Sequence, residues 1–170
     1  TTSHETPQSL FLGVGRTAVS LSVGAYHTCA ILDDGSLKCW GLNYNGQLGI
    51  GSLVNSNIPQ VVDLGVGRTA VSVSLGNSHT CAILDDGSLK CWGHNQYGQL
   101  GIGTSGSGTE QSTPQLVDLG VGRTAVSVSL GHNYHTCAIL DDGSLKCWGN
   151  NGNGQLGIGT SGSGTEQSTP

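Results

Sequence analysis

The residues able to do chemistry in this chain are few, and they recur. Cys29 and Cys39, Cys81 and Cys91, and Cys137 and Cys147 each stand ten positions apart and flank the same Asp-Asp-Gly. A tight turn there sets the two members of each pair directly opposite one another across two strands, close enough for a disulfide when both sulfurs point to one face. Two other readings stay open. His27, His79 and His135, each two residues before the first cysteine, could add ligands to a shared zinc site, and the cysteines could stay reduced as small core residues. The pairing is the expected state. It implies an oxidising compartment, hence a secreted or cell-surface protein.

The other reactive types do not assemble into an active centre. Ser78 precedes His79, but Tyr26 and Tyr134 fill that slot in the other copies, so no nucleophile and base recur with an orienting carboxylate. GVGRT and GQLGIG lack the full glycine pattern with Lys-Ser/Thr, and no helix follows to meet a phosphate. The Asp pairs lack the carboxylate series of a calcium loop. No enzyme and no cofactor are therefore expected. Six Lys plus Arg stand against eleven Asp plus Glu, a formal charge of −5, which argues against a nucleic-acid face. No stretch reaches the 18 or more apolar residues of a membrane span. No signal segment and no initiating Met stand at Thr1, which reads as a processed or excised chain.

These residues sit in a repeated block: HTCAILDDGSLKCWG occurs three times without a change, at 27–41, 79–93 and 135–149, and each copy is followed by GQLGIG. Near-identical units imply equivalent structural positions stacked on one another. In the second unit, 60–63 reads as an edge strand after Pro59. Residues 70–75 alternate Val71, Val73 and Leu75 with serines, and 80–84 and 88–92 form a hairpin across Asp85-Asp86-Gly87. Gly35, Gly87 and Gly143 supply the positive φ of those turns. With 29 glycines in 170 residues, helices are disfavoured. The fold class is all-β: four short strands per unit favour a β-propeller, with residues 1–6 as a linker and 7–58, 59–113 and 114–170 as three four-stranded blade repeats, the last with a Gly/Ser/Thr-rich tail. Within it Trp40, Trp92 and Trp148 are expected between blades, and Arg16, Arg68 and Arg123 are expected to fix turns or to pair with an Asp such as Asp63 or Asp118. The histidines are expected to bond backbone within their own blade. Tyr44, His94, Tyr97, Asn151 and Asn153 lie in the variable segments and are the candidate contact surface.

The combination of DDG, CWG and N-x-x-G-Q-L-G at these spacings resembles the repeat of the regulator of chromosome condensation family, a seven-bladed propeller. The resemblance covers nearly the whole chain, in a secreted, cysteine-paired variety. Three repeats imply a partial ring, a fragment, or part of an assembled ring with exposed strand edges. The resemblance implies a non-catalytic secreted protein-interaction or assembly module whose partners are proteins, further copies of the same chain among them. A lectin-like propeller with one glycan site per blade is the second reading. Guanine-nucleotide exchange on a small GTPase, known in part of the family, is the third. No sequon for N-glycosylation occurs, while 104–113 and 160–169 could carry O-linked sugars.

Overall fold

Residues 6–170 are described by the structure, a computed structural model, and residues 1–5 of the expected linker lie outside them. The described residues form strands and turns only, and no helix among them is long and apolar enough to cross a membrane. The strands are β1 (Ala18–Val23), β2 (His27–Leu32), β3 (Leu37–Gly41), β4 (Ser56–Val61), β5 (Ala70–Leu75), β6 (His79–Leu84), β7 (Leu89–Gly93), β8 (Gln111–Leu116), β9 (Ala125–Gly131), β10 (His135–Leu140) and β11 (Leu145–Gly149).

Antiparallel pairing gives three sheets. Two are four-stranded, β1-β2-β3-β4 and β5-β6-β7-β8, and the third is β9-β10-β11. A single bridge between Gly149 and Gln167 starts a fourth strand on the third sheet. The arrangement is a partial, unclosed propeller, with β1 beside β5 and β5 beside β9. The segment after each Pro-Gln does not open its own sheet. β4 lies on β3, with Cys39 opposite Gln60, and β8 lies on β7, with Cys91 opposite Gln115. The sequence repeats 7–58, 59–113 and 114–170 therefore run one strand out of phase with the blades. Proline fits there because these outermost strands have a free edge that needs no donor.

The hairpins follow from local chemistry. Gly35 adopts φ 77° and its N–H bonds Leu32 C=O at 2.9 Å, a conformation that an L side chain resists. This turn sets Cys29 opposite Cys39, Cys81 opposite Cys91 and Cys137 opposite Cys147, and all three pairs are disulfides. The sulfurs are thus bonded to one another and not held for a metal. Each core lies between blades, not within one. Cys29, Ile31, Leu37, Cys39 and Leu48 of blade 1 meet Val73, Leu75, Leu84 and Trp92 of blade 2. The same positions recur between blades 2 and 3, where Leu89 and Leu100 meet Val128, Leu140 and Trp148.

Candidate functional site

The invariant residues build the frame. Trp92 Nε1 donates to Gln47 C=O at 3.0 Å and Trp148 Nε1 to Gln99 C=O at 3.0 Å, each reaching the preceding blade. Thr80 and Thr136 hydroxyls donate to the same two carbonyls at 2.8 and 2.9 Å. His27 Nε2 then meets Thr80 Oγ1 at 2.8 Å, and His79 Nε2 meets Thr136 Oγ1 at 3.1 Å. The histidines therefore join neighbouring blades instead of bonding backbone within their own. Since each threonine hydroxyl spends its one proton on a carbonyl, Nε2 of each ring is the donor in its bond to threonine. Burial pushes His27 down to about 4 and His79 down to about 3, the latter aided by the charge of neighbouring histidines.

At the opposite end of the blades each arginine reaches the hairpin aspartates. Arg16 lies 3.0 Å from Asp34, Arg68 3.1 Å from Asp86 and Arg123 3.0 Å from Asp142. The expected partners Asp63 and Asp118 instead accept from the backbone N–H of Gly65 and Gly120. Hydroxyl and amide donors of Ser36, Ser88 and Ser144 hold Asp34, Asp86 and Asp142 below the usual carboxylate range, with the arginine adding to it. These exposed pairs set turn shape and contribute little stability.

The distinctive surface lies at the histidine end, between blades 2 and 3. His94 and Tyr134 rings stand 4.9 Å apart, Tyr97 and Tyr134 5.5 Å, and His94 and Tyr97 6.4 Å. Asn77 Nδ2 donates to the Tyr134 hydroxyl at 2.9 Å, and Gln99 Nε2 donates to His94 Nδ1 at 2.7 Å. The latter bond leaves the His94 proton on Nε2. Partial burial lowers the His94 pKa, opposed by the charge of Glu110. The half-buried rings form a fixed aromatic platform with two polar tips.

Of the sequence-nominated surface, His94 and Tyr97 come together in this platform. Tyr44 is exposed on the blade 1 loop and Asn153 on the blade 3 loop. Asn151 is fully buried: it donates to Thr160 C=O at 2.9 Å and accepts from Leu156 N–H at 3.1 Å, framing its loop. Trp92 and Trp148 are buried, while Trp40 is half-buried on the open face of blade 1. Sequence reasoning missed Tyr134 and Asn77. The available signal was the extra residue around 132–134, which carries Tyr134 at φ 59°. Because Leu42, Asn45 and Ser78 occupy the equivalent positions between blades 1 and 2, the platform is not repeated there, contrary to one glycan site per blade.

Two models of the regulator of chromosome condensation (RCC1) repeat match this chain, one over residues 18–47, 70–99 and 125–155, the other over 34–83 and 86–139. The chain belongs to the RCC1-repeat family. The RCC1-repeat chain is 34% identical over 139 residues to the ultraviolet-B receptor UVR8 of Arabidopsis thaliana, covering 82% of this chain and 31% of the receptor. It thus spans about a third or less of the length of the curated relatives it matches. Yeast RCC1 (Prp20), solved with Kap60 bound, has the same fold at TM-score 0.79 and 21% identity, over 90% of this chain and 36% of that one. Prp20p from Saccharomyces cerevisiae, described with its binding to Gsp1p and histones, gives 0.78 and 21%, over 90% and 37%.

These findings correct the expectation of a secreted or cell-surface interaction module. The propellers that match over 90% of this chain were studied with Kap60, Gsp1p and histones as their protein partners. The cysteine argument misled because direct opposition is a consequence of hairpin register, and register carries no information about compartment.

Proposed function

We propose that this RCC1-repeat chain takes part in guanine-nucleotide exchange on a small GTPase, binding it through the blade end that carries His94, Tyr97 and Tyr134. The observation that carries this reading is the platform itself. Of its three rings from two blades, Tyr134 and His94 are held by hydrogen bonds to Asn77 and Gln99, Tyr97 packs against both, and all three remain partly exposed. Tyrosine-rich, preorganised surfaces are where protein contacts concentrate their energy, because little side-chain freedom is lost on binding. The reported binding of Prp20p to Gsp1p supplies the class of partner.

The exchange needs no covalent step from this chain. A surface that binds the nucleotide-free GTPase more tightly than the loaded form promotes release by that difference alone. The test loads Gsp1p with a fluorescent guanine nucleotide and follows its release on adding the chain. Release faster than in buffer is expected, with at least about tenfold tighter binding to nucleotide-free Gsp1p. A Tyr97→Ala, Tyr134→Ala double variant should lose the effect while keeping its unfolding midpoint, and Tyr44→Ala should keep it. Equal affinity for the two forms of Gsp1p would sink the exchange reading.

A further inference from the structure

The two open faces of the partial propeller are the two halves of one interface that the chain already makes twice. Between blades 1 and 2 the leading half supplies Thr80 and Trp92, and the trailing half supplies His27 and Gln47 C=O. Between blades 2 and 3 the same roles fall to Thr136, Trp148, His79 and Gln99.

Blade 1 presents an unused leading half. Thr28 and Trp40 occupy the positions of Thr80 and Trp92, yet neither side chain makes a hydrogen bond among the described residues. Beside them Leu21 and Val23, exposed by 67% and 65%, border an apolar groove of about 410 Å³ that Leu10 and Leu12 close on another side. Blade 3 presents an unused trailing half. Leu145 is 66% exposed, whereas its equivalents Leu37 and Leu89 are 0% exposed, and Ile139 is 45% exposed against 2% for Ile31 and 4% for Ile83. Among the described residues Gln155 C=O and His135 Nε2 lack the donors and the hydroxyl that Gln47 C=O and His27 have.

We infer that blade 3 of one chain seats on blade 1 of a second copy, head to tail. Trp40 Nε1 and the Thr28 hydroxyl of one copy donate to Gln155 C=O of the other, His135 Nε2 donates to Thr28 Oγ1, and Leu145 and Ile139 enter the groove. What selects a second copy is this match of unpartnered donors to unpartnered acceptors, role for role, at the two ends of one chain. The contact is heterologous, so it leaves one free face of each kind on a dimer and permits closure into a ring or further growth.

The test uses the intact chain and its mass in solution from about 1 µM to about 1 mM by light scattering or native mass spectrometry. Wild type is expected to rise from 17.3 kDa to twice that mass and beyond. Leu21→Asp and Leu145→Asp, both at positions exposed in the single chain, should each weaken association by at least about 100-fold and leave the unfolding midpoint at high dilution unchanged. Mixed together they should form a one-to-one dimer and nothing larger, because each variant retains the face that the other has lost. A wild-type chain that stays monomeric throughout overturns the inference. So does association that survives either substitution alone, or a mixture that fails to pair.

Discussion

The buried histidines carry the sharpest residue-scale consequence. His27 and His79 are held neutral by burial, at about 4 and about 3 against 6.5 for the free side chain. Below pH 6.5 the unfolded chain binds protons that the folded chain refuses, so unfolding is favoured as the pH drops. Stability is complete above 6.5 and is lost on the way down to the folded values. At pH 5 the loss is about 2 kcal/mol for each of the two histidines relative to pH 8. In a chain of this size that lowers the melting temperature by roughly 8–16 °C. Urea unfolding at the two pH values checks this, and coincident curves would contradict the burial argument. The aspartates do not confuse the window, because their lowered pKa values place their titration below 3.8. The sequence showed that these histidines recur, but not what they touch. The threonine that His27 meets lies 53 residues on, in the next blade, and reading within one unit points only to local partners.

At the scale of the element, the hairpin was legible because its determinants are adjacent in the chain: an Asp-Asp-Gly turn between two apolar runs fixes register, and register fixes the cysteine pairs. The outer strand was not legible in the same way. Pro59 and the residues after it have one hairpin-bearing block behind them and an equivalent one ahead, so a periodic sequence offers two partners of equal merit. Closure of each cysteine loop of ten residues should contribute about 2–3 kcal/mol. Cys81→Ala with Cys91→Ala should lower stability by that amount in urea titration and leave the far-ultraviolet spectrum unaltered. The turn glycines separate backbone strain from blade packing. Gly87 and Gly143 share nearly the same φ, 77° and 82°. A Cβ on Gly87 would stand 2.7 Å from Thr124 Cβ of the next blade, whereas one on Gly143 meets nothing within 4 Å. Gly143→Ala should therefore cost about 1–2 kcal/mol from the left-handed conformation. Gly87→Ala should cost at least about 1 kcal/mol more, as a small-to-large change against packed atoms does. Equal costs would mean that Thr124 moves aside freely.

For the whole molecule, the cores lie between sheets, so a blade is stabilised chiefly by its neighbours and stability is distributed along the array. The three repeats made the architecture readable. The aromatic platform was hidden because it depends on where the repeats differ, and because His94, Tyr97 and Tyr134 meet only after blades 2 and 3 stack. The same logic distinguishes tryptophans that are identical in sequence context. Trp148 donates its indole N–H to Gln99 C=O within the chain, whereas Trp40 has no acceptor among the described residues. Trp148→Phe removes a buried hydrogen bond and should cost about 1 kcal/mol at any protein concentration. Trp40→Phe should be neutral within about 0.5 kcal/mol in dilute solution, and should become destabilising only as the concentration rises and Gln155 of another copy reaches it. Thermal unfolding of both variants across a dilution series reads this directly. A Trp40→Phe effect present at the lowest concentration would place its partner inside the single chain, and one that never develops would leave the indole without a role in assembly.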